Sequence, residues 1–167
     1  MTTQNSLKEA LLDKARTAIE LAEAGLDKIK SIEVSINALK SPDLLYPDSM
    51  VQIIREEVST TDNYARTLCS IVDEYDFKAL EQFNIKESLW KEDVGEIKNK
   101  CEIIIKNDLK NQLVDDLDDL SKSFKDLKQE DKEKIVNNLI GKIDPYKVVF
   151  NKSFTVFKNI KDSLVKD

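Results

Sequence analysis

The sequence predicts an all-α protein: an elongated, mainly antiparallel helical bundle of four long helices plus one or two short ones. Three observations carry that expectation. Glycine and proline number three each in 167 residues, while charged residues make up 35% and apolar ones 41%, a composition of long solvated helices. Apolar residues recur in alternating steps of three and four, which gathers them on one stripe of a helix. No segment alternates with period two for more than a few residues, so no half-buried strand is expected. The length suits one domain over residues 1–167, with a single continuous core.

A helical hairpin is expected over about 6–75. Ser6 and Glu9 form a capping box ahead of a run with apolar or small residues at Leu11, Ala15, Ala18, Ala22, Gly25, Ile29, Ile32, Ile36 and Leu39. This is the 3.5-residue seam of a coiled coil. Its first half is built of small residues and should pack closest to a partner helix. Pro42 and Pro47 in SPDLLYPDS end the run in a loop. A second helix is expected from Asp48 or Ser49, capped with Gln52, along the seam Val51, Ile54, Val58, Thr61, Ala65, Leu68, Val72 and Tyr75. Two such seams joined by a short loop read as antiparallel neighbours.

A short helix over about 77–84 follows, with Phe77, Leu80 and Phe83 on one face. The next run, about 87–128, has one seam through Trp90, Val94, Ile97, Cys101 and Ile104 and another through Leu113, Leu117, Leu120, Phe124 and Leu127. The register slips between them, so this helix is expected to bend or break around Asn107 to Asn111. A short helix over about 131–142 carries Ile135, Leu139 and Ile143 on its apolar face. Pro145 then opens a closing amphipathic helix, 145–166, with Asp144 as its cap.

Charge and motif content exclude several functions. The formal charge of −6 is uneven: residues 1–89 carry 10 basic and 16 acidic side chains, whereas 90–167 carry 16 of each. Nucleic-acid binding is not expected, because neutralising phosphates takes clustered Lys and Arg. The N-terminal stretch MTTQNSLKEALLDK lacks the apolar core of a signal peptide, and no apolar run approaches a membrane span. A cytoplasmic protein is the expectation. Cys69 and Cys101 fit no zinc spacing and sit among aliphatic neighbours, so buried, reduced thiols are expected.

Histidine is absent, which removes His-based acid–base work, Ser-His-Asp and Cys-His nucleophiles and Glu-x-x-His di-iron sites. Three scattered glycines build no phosphate-cradling loop. The pair Glu20 and Glu23 has the ExxE spacing of all-α nucleotide pyrophosphatases, but the ExxD partner a helix away is missing. No catalytic, cofactor-binding or metal-binding residue is assigned, and the chain is expected not to be an enzyme.

Two segments remain candidates for an interaction surface. The first is DDLDD, with Asp115, Asp116, Asp118 and Asp119. It matches the DDxxD of magnesium-diphosphate sites in prenyl-chain enzymes, yet no second acidic motif accompanies it and the chain is short for the deep apolar cavity such sites need. The seam at Leu113, Leu117 and Leu120 puts these aspartates on the helix flanks, where Asp118 and Lys122 are spaced to pair at i,i+4. The second is the closing helix. Residues 142–166 hold six lysines against two aspartates, and Phe150, Phe154 and Phe157 make up half of the six phenylalanines. Lys147 and Lys158 lie on the other side or its edges. This helix is expected to close the bundle, its lysines answering the acidic first half. Detachment to meet a membrane surface or a partner's groove is the competing reading.

The functional expectation is a helical-bundle protein that works through protein–protein interaction, as an adaptor, an assembly partner or an immunity or inhibitor-like protein, with a partner of basic character. Strict seams also suit a homodimer. The alternatives are a membrane-active bundle, such as a component of a helical pore-forming toxin, and a small metal-dependent hydrolase on the DDLDD flank.

Overall fold

Helix α1, Thr3–Ala38, is laid down by its seam: Leu11, Ala15, Ala18, Ala22, Gly25, Ile29, Ile32 and Ile36 are all buried, and Leu39 just beyond its end is too. At 36 residues it spans about 54 Å at 1.5 Å per residue. In the computed structural model, which describes residues 3–166, the helix starts ahead of Ser6. Ser6 is therefore an interior helical residue, not the cap its spacing to Glu9 suggested.

After the loop, α2 runs from Pro47 to Glu74 and buries its whole expected seam, including Thr61, whose hydroxyl donates to the Glu57 carbonyl at 2.8 Å. Pro47 begins the helix because its fixed φ suits the first turn and its missing N–H costs nothing there. The expected capping box fails: Tyr46 occupies the cap without a side-chain bond, Asp48 accepts from Ser121 of a later helix, and Gln52 donates to Glu56. α1 and α2 are antiparallel. Ser31 and Ser35 both donate to Glu57 near the loop end, and Tyr75 donates to the Leu11 carbonyl at 3.0 Å at the other.

The stretch from Phe77 to Leu89 is the least regular. A 3₁₀ segment, Phe77–Phe83, is capped by Asp76, whose carboxylate accepts from the Ala79 amide, and ends at Asn84 in the left-handed region (φ 60°). A 3₁₀ turn, Glu87–Leu89, leads into α3, Lys91–Ile105. The expected break then appears. Asp108 adopts φ 51°, and α4, Leu109–Ser123, starts on a new register. The third of the expected long helices is therefore two shorter ones. A second left-handed residue suits Asp because its short side chain bonds locally, here accepting from Asn111.

The chain then turns through Phe124–Asp126 into α5, Gln129–Lys142, and α6, Asp144–Val165. Asp144 lies inside the first turn of α6 and makes no capping bond, another departure from the cap predicted for it. α2 packs antiparallel against α3 and α4 in succession, with Cys69 opposite Cys101, Arg66 near Asp108, and Arg55 paired to Asp118. α6 fills the groove between α1, α2 and α3, and its most extensive partner is α1. Tyr146, Val149, Phe150, Val156, Phe157, Ile160 and Leu164 are each at most 1% exposed. At about 1.5–3 kcal/mol per large buried side chain, this one helix supplies a large part of the core's driving force.

The expectation of reduced thiols is overturned. Cys69 on α2 and Cys101 on α3 face each other with Cα atoms 6.0 Å apart and form a disulfide. Their aliphatic neighbours correctly signalled burial, at 6% and 9% exposure. What the spacing of 32 residues concealed is that the irregular stretch returns the chain antiparallel to α2 at that level. Among the described residues, no helix is long and apolar enough to cross a membrane.

Candidate interaction surface

The four aspartates diverge. Asp116 turns toward α5 and forms an ion pair with Lys142, while Asp118 turns toward α2 and pairs with Arg55 at 3.3 Å. Arg55 displaces the expected i,i+4 partner Lys122. Asp115 and Asp119 stay exposed on the outer flank. Neighbouring positions on α4 are thus drawn to two different helices, and among the described residues no three carboxylates or cysteines stand together as a metal cage.

The closing helix is spent inside the molecule. Phe150 and Phe157 are wholly buried, and Phe154 is half-buried at the rim. Lys147 pairs with Glu33 of α1 at 2.9 Å, and Lys152 reaches Asp93 and Glu96 of α3 at 3.3 and 3.6 Å. The hydrogen bond to Asp93, with its charge, holds Lys152 above the usual lysine range. Lys158 is exposed, 5.7 Å from the centre of the Phe154 ring. Of the two readings of this helix, burial and ion pairing both match the one that closes the bundle.

A polar cluster that the sequence did not announce lies between α2, α6 and the α3–α4 break. Asp62 is 2% exposed, yet it sits beside the apolar seam. Its two oxygens are used on opposite sides: Tyr146 donates to one at 2.7 Å and the Arg66 guanidinium to the other at 2.7 Å. Arg66 also lies 3.7 Å from Asp108. Burial and then the bond to Asp62 push the Tyr146 hydroxyl far above its ordinary titration range. The only advance signal was the i,i+4 spacing of Asp62 and Arg66. Asp62 and Tyr146 are the buried half of this cluster, while Arg66 and Asp108 reach the surface at 39% and 49% exposure, so its paired groups orient α2, α6 and the α3–α4 break against one another.

The open surface lies at the loop end of the hairpin. Leu45 and Tyr46 are 80% and 73% exposed. Beside them a cleft of about 760 Å³ runs between the start of α2 and the turn after α4, lined also by Pro47, Ser49, Lys122 and Lys125. Phe124, buried at 5% exposure, lines it too, with the ammonium of Lys132 4.1 Å from the centre of its ring. Two further apolar side chains, Val34 and Ile53, are 72% and 48% exposed within two turns of the loop. The segment SPDLLYPDS announces a break through its prolines, and its LLY, apolar in a loop where polar residues are usual, is the sequence signal of this surface.

The outer side of α2 is acidic. The helix carries six carboxylates against two arginines, and each arginine is committed to an aspartate, Arg55 to Asp118 and Arg66 to Asp62. Glu56, Asp73 and Glu74 remain exposed. No protein-family model matches the chain, and neither a curated protein nor a solved structure matches it.

Proposed function

We propose that this protein acts by binding a partner protein, without turnover of its own, and that it does so through the loop end of the α1–α2 hairpin. The observation that carries the reading is the exposure of Leu45 and Tyr46 on the rim of a cleft. Large apolar side chains left in water beside a concavity are the usual anchors of a protein interface, where a few such residues supply most of the affinity. The partner is expected to be basic, because Asp48 and Glu56 are exposed on the part of α2 nearest this loop and both arginines of the helix are already engaged.

The test compares the wild type with a Leu45→Asp/Tyr46→Ser variant as bait in lysate of the native cell. The expected result is a basic protein retained by the wild type, lost by the variant and weakened by added salt. Identical retention by both baits would remove the loop end from consideration. Both baits should melt at the same temperature, since neither side chain is part of the core.

A further inference from the structure

The Cys69–Cys101 disulfide, buried at 6% and 9% exposure, borders a surface groove of about 310 Å³ between α2 and α3. Solvent-exposed Ile105 forms part of its wall. Lys98 and Lys106 are balanced there by Asp73 and Glu102, so an approaching thiolate meets no net repulsion.

The bond is also separable from the fold. α3 is held from its other side by α6: Ile97 and Ile104 are fully buried, and Lys152 pairs with Asp93 and Glu96. Breaking the cross-link leaves these contacts in place. What it releases is the enclosed stretch between the cysteines, which holds both 3₁₀ segments and the left-handed Asn84. Phe77 stacks on Trp90 at 4.7 Å and lies against Tyr75 at 4.8 Å, which ties both ends of that stretch together and leaves the part between the rings, about 78–89, as the segment that the cross-link can influence.

We propose that Cys69–Cys101 is a thiol-exchange site that takes a dithiol as its reductant and sets the mobility of residues 78–89. A thiolate of the dithiol attacks one sulfur, Cys101 being the more exposed, and forms a mixed disulfide. The Cys69 sulfur leaves as a thiolate and takes up a proton. The second thiol of the reductant then attacks the mixed disulfide, giving two protein thiols and one oxidised dithiol. Two electrons pass to the protein, and the reverse sequence restores the bond.

The experiment treats the folded protein with dithiothreitol in the absence of denaturant, alkylates it, and weighs it intact. The expected result is two added groups, an unchanged far-ultraviolet helical signal, and faster amide exchange confined to about 78–89. Melting should fall by roughly 10 °C, as expected for opening a loop of this size. Oxidised glutathione should then restore both mass and exchange pattern. A Cys69→Ser/Cys101→Ser variant should reproduce the reduced pattern without any reagent. A bond that yields only in denaturant, a loss of helix on reduction, an unchanged exchange pattern, or thiols that fail to reoxidise would each overturn the proposal.

Discussion

Phe150 of α6 lies directly against Gly25 of α1, so closely that a Cβ on Gly25 would stand 2.3 Å from the ring's Cε1. A glycine inside a 36-residue helix is there because the ring occupies the space of its side chain. The backbone conformation is ordinary, so the requirement is one of room alone.

Gly25→Ala should therefore destabilise the protein, although alanine is the better helix former by about 1 kcal/mol. Overpacking a filled site costs about 1–3 kcal/mol, and Phe150 has nowhere to turn because it is fully buried. A net loss of about 1–2 kcal/mol in urea unfolding is expected. In a Phe150→Leu background the same change should cost less, and a double-mutant cycle reads that coupling directly.

The buried carboxylate of Asp62 ties Tyr146 and Arg66 together; its removal strands the buried Tyr146 hydroxyl, whereas Arg66 is 39% exposed and keeps Asp108 at 3.7 Å. Asp62→Ala should cost about 2–3 kcal/mol, from a buried hydroxyl left without a partner and the loss of the bond to Arg66. Tyr146→Phe removes a single bond to the same carboxylate and should cost about 1–2 kcal/mol. Equal losses for the two variants would contradict the geometry.

Alkaline pH should weaken the fold through two tyrosines. Burial raises the Tyr146 hydroxyl, assisted by Asp62, and burial raises that of Tyr75, assisted by Asp76. The unfolded chain releases these protons near the ordinary value of 10.0, whereas the native state keeps them. The stability they add is whole below that pH and falls as pH rises beyond it. Denaturant midpoints measured from neutrality to strong alkali should decline above about pH 10, and less steeply in Tyr146→Phe.

Neutralising the α4 aspartates separates paired from unpaired charge. Asp115→Asn and Asp119→Asn should change stability by no more than about 0.5 kcal/mol, since both are exposed. Asp116→Asn removes the partner of Lys142 and should lower melting slightly. Millimolar magnesium should not shift the wild-type transition by more than a degree or two, and a large shift abolished by these changes would restore the metal reading.

The helical stripes were legible because a 3.5-residue seam reports which face is buried. Every expected seam position of α1 and α2 is indeed inside. A stripe does not say what covers it. The small residues from Ala15 to Gly25 correctly foretold close packing, but α6 from the far end of the sequence supplies the ring against Gly25. The break at Asp108 was readable because a register slip cannot be carried by one straight helix. The disulfide and the Asp62 cluster were not, since each joins residues through the antiparallel return of α3 or the docking of α6. The helix starts at Ser6, Asp48 and Asp144 were misplaced for a simpler reason: capping residues tolerate interior positions when packing drives the helix further.

The left-handed kink at Asp108 also bears on how the gene could change length. In an unbroken helix, one inserted residue turns everything after it by about 100° and drives the apolar stripe out of the core. Here Lys106 and Asn107 are exposed, and α3 and α4 meet the bundle in registers already set independently. A residue gained or lost at this junction can be taken up by the turn alone. Natural length variation among descendants of this chain should collect there and at the proline-bounded loop, while α1, α2 and α6 keep their residue count.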